Sequence, residues 1–197
     1  MRIVNTIRLI GKGPLAASDE WKSIRDVALA AIKEVDWPDG TNKFTINPVP
    51  LQNGVTPIKS RMAKALKNKG WLMNERWPIP DIVAPGRMDG AFKSSQGLVA
   101  FEWETGNISS SHRSLNKVCL GLHLGTIVGG ILAVSARQLQ QYLTDRVGSY
   151  EELRAYFPLW QATPCDLGVL EIIVVTYDRV SEQVPLIPKA KTGRGAT

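Results

Sequence analysis

Disulfide chemistry and soft-metal chemistry have little to work with in this chain. Of 197 residues, two are cysteines, Cys119 and Cys165, and two are histidines, His112 and His123. Neither pair has the spacing of a disulfide framework or of a zinc site. The apolar run GTIVGGILAVSA, from Gly125 to Ala136, falls short of the roughly 18 apolar residues that a membrane helix requires. The amino-terminal MRIVNTIRLI carries a charge inside its apolar stretch and no small-residue cleavage site after it, so it does not read as a secretory signal. A cytoplasmic protein is expected. Internal repeats and low-complexity segments are also missing.

The chain is long enough for one sizeable core and short for two, so a single domain over residues 1–197 is expected. Hydrophobic residues at 44% and charged residues at 21% exclude global disorder. Twenty-four Lys and Arg against eighteen Asp and Glu leave a formal charge of +6, which favours an anionic partner without naming it. A merely solvated basic surface gives the same number.

After Ser18, a suitable N-cap, Trp21, Ile24, Val27, Ala31, Ile32 and Val35 fall at helical spacing and predict a core-facing helix. Asp36 to Thr56 is rich in Pro and Gly and reads as connection, with KFTI as a short strand. Thr56 as cap and Pro57 at the first helical position open a second helix, closed by Gly70. Lys59, Arg61, Lys64, Lys67 and Lys69 face no acid there, which suits a phosphate-contacting surface or a solvated face. GLVAFEWE, from Gly97 to Glu104, reads as a hairpin strand after the turn-like KSSQG. Asn107 caps a helix to Leu124 that is apolar on two stripes; the second, Leu120 and Leu124, calls for another helix or another subunit. IVGGILAV and LEIIVV read as buried strands, with ARQLQQYLTDR and YEELRAYF as helices between them. The order predicts a mixed α/β sheet. Residues 184–197 read as an extended basic tail.

Residues two apart on a strand share a face, so Glu102 and Glu104 point together while Trp103 points away. Two carboxylates side by side at the end of an apolar strand repel, and one protonates unless a cation holds them. Oxygen ligands without thiols or clustered imidazoles favour Mg²⁺ or Mn²⁺. Asp89, in the turn-like GRMDG, can return beside them across a hairpin. Alone, this pattern also fits solvated surface acids. The adjoining segment shifts the balance: TGNISSSHRS sets Asn107, Ser109 and Ser110 at a helix amino terminus, where free N–H groups attract phosphate, and Arg113 comes one turn later. Simple capping remains the plain alternative for Asn107.

The runs FEWETGNISSSHRSLNK, QYLTDRV, YEEL and VPLIPK, in that order and spacing, resemble the BamHI-type type II restriction endonucleases. PIKSRMAKAL and NERWPIPDI extend the likeness over Thr56 to Lys189, and the chain's length suggests a compact isoschizomer. The resemblance implies the PD-(D/E)xK nuclease fold and a homodimer cutting double-stranded DNA after the first G of GGATCC, leaving a four-base 5′ overhang. A DNA methyltransferase in the host is implied as well. It further implies two Mg²⁺ ions per site, with Mn²⁺ as a substitute, held by Asp89, Glu102 and the Trp103 carbonyl and supported by Glu75. Glu104 stands at the family's usual lysine position, where the carboxylate orients or deprotonates the attacking water. Asn107, Ser109, Arg113, Asp145 and Arg146 match base-reading positions, and Lys59 matches a contact to the outer bases. Thr192 stands where an acid is expected, and Lys189, Lys191 and Arg194 then offer the tail phosphate affinity. The subunit interface is expected on Leu120, Leu124 and Tyr156. A non-catalytic DNA-binding protein would have no use for three clustered acids. A repair nuclease of the same fold would share the acids but not QYLTDRV.

Overall fold

The computed structural model describes residues 1–80, 82–144 and 147–189. Asp145, Arg146, Lys191, Thr192 and Arg194 lie outside the described residues. In chain order the larger elements are β1 (Arg2–Lys12), α1 (Pro14–Ala17), α2 (Asp19–Lys33), β2 (Thr45–Ile46), α3 (Thr56–Asn68), β3 (Gly90–Ser94) and β4 (Gly97–Glu104). They continue with α4 (Ile108–His123), β5 (Gly129–Ser135), α5 (Arg137–Gln140), α6 (Tyr150–Leu153), α7 (Phe157–Gln161), β6 (Gly168–Thr176) and β7 (Arg179–Val180). Five strands form one mixed sheet in the order β1-β6-β5-β4-β3, with β4, β5 and β6 parallel and both outer pairs antiparallel.

The parallel centre is buried on both faces, which is why β5 and β6 are nearly unbroken apolar runs. One face packs under α2 and α3 around Trp21, Ile32, Met62, Leu66, Phe101 and Trp103. The other packs under α4 and α7 around Leu115, Val118, Leu122, Leu132, Ile172 and Trp160. Two glycines in β5 admit both layers. A Cβ at Gly129 would lie 2.7 Å from Trp21, and one at Gly130 would lie 2.4 Å from Val118. Any larger residue would force the helices off the sheet.

The sequence pattern anticipates β4 residue for residue, and α2 and α4 to within two residues of their ends. The Ser18 hydroxyl accepts the Trp21 N–H at 3.0 Å, and the Asn107 carboxamide oxygen accepts the Ser110 N–H at 3.0 Å. Each such cap is worth about 1 kcal/mol. Three expectations need correction. Thr56 lies inside α3; Val55 is the cap residue and no side chain caps that helix, because Pro57 already removes one donor. Among the described residues, ARQLQQYLTDR gives only the four residues of α5, after which Asn53 donates its backbone and side-chain N–H groups to the Tyr142 carbonyl and accepts the Thr144 N–H on its own carbonyl. YEELRAYF breaks into α6, a 3₁₀ turn and α7, the last begun next to Pro158. The longest strand, β1, was not foreseen: its pattern is exposed over most of its length, as suits an edge strand, and alternation is weak.

The described start of the basic tail is extended but anchored. Ile187 is buried, its N–H donates to Asn53, and its carbonyl accepts the Gly54 N–H at 2.7 Å.

Candidate active site

At the carboxyl end of β4 the sheet opens into a cleft of about 480 Å³, lined by Asp89, Glu102, Trp103, Glu104, Lys59, Arg113 and Lys117 among others. The β3–β4 ladder runs from Ser94–Gly97 to Gly90–Phe101 and goes no further. Beyond it, the Trp103 N–H finds the Asp89 carboxylate instead of a strand partner, at 3.0 Å to Oδ2. A residue in a strand sends its N–H and C=O to the same edge, so the Trp103 carbonyl leaves on the Asp89 side. Its indole lies across the sheet in the core with Phe101, which is the alternation expected for β4.

Glu102 and Glu104 share the face covered by α4, and both are 6% exposed. The Trp77 indole N–H donates to Glu102 Oε1 at 3.1 Å. Two serines of α4 hold Glu104: Ser114 Oγ donates to Oε1 at 2.6 Å and Ser111 Oγ to Oε2 at 3.4 Å. Burial, then the charge of Asp89, pushes the Glu102 carboxyl up to about 8, against the opposing pull of Lys117. Burial also raises Glu104, against the hydrogen bond from Ser114. Lys117, half-buried with its ammonium 4.8 Å from the Trp77 ring centroid, is lowered by burial and held up by Glu102.

Asp89, Glu102 and Glu104 are therefore brought to one cleft. Among the described residues, no three His, Cys, Asp or Glu side chains are set as a ready metal cluster, and one reason is visible: Lys59 Nζ sits 2.7 Å from Asp89 Oδ1. Expected as a contact to outer bases, Lys59 is here the counter-cation of the cleft. The donor set still fits a hard cation: all candidate ligand atoms are oxygens, and Glu102 is raised by burial and then by like charges, which a cation would offset. Glu75 is not drawn in. Its side chain is exposed and outside the cleft lining, although its carbonyl accepts the N–H of Met88, next to Asp89, at 2.8 Å.

Asn107 spends its side-chain oxygen on the cap of α4, and its backbone bridges to Val147. Arg113 is exposed and lines both the cleft and an adjoining groove, which Ser109 also lines. Lys189 donates to Gln52 Oε1 at 3.1 Å. Leu124 and Tyr156 are 43% and 49% exposed, and Leu120, one turn before Leu124 on α4, is half-buried. Tyr156 stacks edge-on against His112, which leans on Trp160. Trp77, Ser111, Ser114 and Lys117 were missed by the sequence reading. Only the helical spacing of Ser111 and Ser114 pointed towards the strand, and nothing marked Trp77.

A mixed sheet with acids at the end of a central strand defines the restriction-endonuclease class of fold. The crystal structure of the restriction endonuclease BglII with a DNA 16-mer superposes with a TM-score of 0.56, covering 90% of this chain and 79% of that one at 12% identity. Within that class, the family model for restriction endonuclease BamHI matches residues 1–194, and the chain belongs to the BamHI family. The type II restriction enzyme OkrAI of Oceanobacter kriegii is 44% identical over 164 residues, 83% of this chain and 84% of that one. The type II restriction enzyme BamHI of Bacillus amyloliquefaciens is 36% identical over 166 residues, 80% and 75% of the two chains. This chain differs from OkrAI at more than half of the aligned positions.

Proposed function

We propose that the protein is a type II restriction endonuclease that cuts both strands of DNA at GGATCC, after the first G. The observation that carries this is the cleft at the end of β4, where Asp89, Glu102 and Glu104 meet beside the cap of α4. A binding module would gain nothing from burying acids where they repel phosphate.

Asp89, Glu102 and the Trp103 carbonyl would hold Mg²⁺, two ions per site on the family likeness, with Glu75 supporting from the margin and Mn²⁺ able to replace it. Bound there, the metal would supply charge stabilisation for the pentacoordinate phosphorus of the transition state and lower the pKa of water. Glu104, fixed by Ser111 and Ser114, aims a raised carboxylate at the position of the incoming water and accepts its proton. Lys59, paired with Asp89, would be free to turn to the DNA once a cation is held there, and Lys117 and Arg113 add positive charge along the same cleft. The free N–H groups at the start of α4 face phosphate. Asn107, Ser109, Arg113, Asp145 and Arg146 read base edges in the major groove, Arg on guanine O6 and N7 and Asp on cytosine N4. Lys189, Lys191 and Arg194 contribute phosphate contacts from the tail. Residues 1–197 act as one nuclease domain.

A palindromic target calls for a two-fold symmetric pair of subunits. Leu120 and Leu124 at the end of α4, and Tyr156 in the turn before α7, leave apolar surface that suits such a contact. No described helix is long and apolar enough to cross a membrane. We place the enzyme in the cytoplasm, where the host's DNA is shielded by a methyltransferase.

Digestion of a plasmid carrying one GGATCC, with Mg²⁺ and then with EDTA, tests the reading. Linear product with four-base 5′ ends, seen only with Mg²⁺, is expected. Random ends, or linear product in EDTA, would sink it.

A further inference from the structure

The carboxylates of the cleft are supported unequally. Glu104 has two hydroxyl donors and Asp89 has a backbone N–H and an ammonium, whereas Glu102 has one donor, the indole of Trp77. That indole comes from a loop far from β4 in sequence. It is 2% exposed, packed into the core cluster with Ile79, Met88 and Leu115, and its backbone N–H donates to the Gly86 carbonyl at 3.3 Å. On its ring face stands Lys117 at 4.8 Å, the α4 cation that also lines the cleft. Oε1 of Glu102 is taken by the indole, and Oε2 has no hydrogen-bond partner among the described residues.

We infer that Trp77, braced by Lys117, is a positioning residue for Glu102: it fixes Oε1 through its N–H and so leaves Oε2 presented to the divalent cation. The inference rests on Glu102 being a ligand. The physical ground is general. A carboxylate that binds an ion is oriented by an outer donor, and loss of that donor costs about 10–100-fold in metal affinity. An indole suits the task here because it donates once, accepts nothing, and cannot compete for the ion. The ring face adds a second function, since the cation it attracts is held near Glu102 without bonding to it. A purely structural account also exists: a buried indole N–H needs a partner, and Glu102 is one. The two accounts differ in what is lost when the N–H goes.

Mn²⁺ titrated into the protein, followed by the decay of the free-ion EPR signal, reads affinity without any cleavage. Trp77→Phe keeps the ring and removes the donor. Mn²⁺ affinity is expected to fall about 10–100-fold, and the Mg²⁺ concentration for half-maximal cutting to rise equally, with cutting at saturating Mg²⁺ close to wild type. Lys117→Met removes a charge that repels the ion, so electrostatics alone would raise affinity; loss of the brace is expected to lower it several-fold against that trend, and Lys117→Arg to restore it, which keeps the test decisive where Trp77→Phe does not fold. Mn²⁺ affinity unchanged in Trp77→Phe, or in Lys117→Met where Trp77→Phe is unfolded, while Glu102→Ala loses it, would overturn the inference alone. Mn²⁺ affinity unchanged in Glu102→Ala would overturn the ligand reading and the inference with it.

Discussion

Two glutamates are buried in the same sheet, and each accepts an indole N–H. Glu171, in β6, takes Trp21 Nε1 at 3.0 Å and also Arg8 Nε and Nη2 at 2.9 and 2.8 Å. Arg8 is its register partner on β1 and is tied further to the Ala16 carbonyl. Glu102, in β4, has Trp77 but no guanidinium, and the charges acting on it are Asp89 and Glu104, partly offset by Lys117 and Lys59. A single strand separates the two strands that carry them, and the glutamates face opposite sides. One carboxylate is compensated within the fold. The other is pushed up to about 8 by burial and then by the charge of Asp89, which Lys117 only partly offsets. Such a group adds nothing to stability, since ionising it without a partner costs several kcal/mol and keeping it neutral costs it its charge. The contrast separates an acid that holds the sheet together from one that, on the proposed function, waits for a cation.

The largest effect should come from removing the waiting acid. A bound ion is worth several kcal/mol of transition-state stabilisation, so Glu102→Ala should lower cleavage by roughly a thousandfold or more while the protein stays folded. Single-turnover cutting and a thermal melt, run together, check both halves. The mirror experiment is Arg8→Met. It should cost about 3 kcal/mol in urea unfolding, the low end for stripping a buried charge because Arg8 is 39% exposed, and leave the folded enzyme's cutting unchanged. Loss of cutting in Arg8→Met at full stability would erase the distinction between the two glutamates.

A smaller effect sharpens the comparison through pH. Below about 4.5 the Glu102 carboxyl is protonated in both folded and unfolded chains and contributes nothing. Between about 4.5 and about 8 the unfolded chain releases that proton and the folded one keeps it, so stability falls as pH rises. Glu104 acts in the same direction. The metal-free melting temperature should therefore decline across this window, and Glu102→Gln should flatten the slope. Equal slopes in wild type and Glu102→Gln would contradict the raised carboxyl.

The strand that carries the site was legible because GLVAFEWE pairs strong β formers with a period-two placement of acids, and α4 because Asn107 and its apolar stripes signal both ends. Asp89 could be placed through the hairpin. Other features were hidden for physical reasons. The Lys59–Asp89 pair joins α3 to the residue just before β3, and only tertiary packing creates it. Trp77 reads as one more core aromatic in a Pro-rich loop; its partner lies 25 residues away. Edge strand β1 was obscured by exposed polar positions on both faces. Glu75 was legible only by resemblance, and its exposed side chain shows why spacing alone would not have selected it.

The central claim is that the acids at the end of β4 perform the cut and do not merely tolerate burial, and Glu104→Ala tests it most directly. A GGATCC duplex is offered to wild type and variant, with binding read by gel shift without metal and cutting read after adding Mg²⁺. The account predicts wild-type binding and a fall in cutting of about 10²–10⁴-fold, the range for losing a general base. Binding and cutting both at the wild-type level would contradict it.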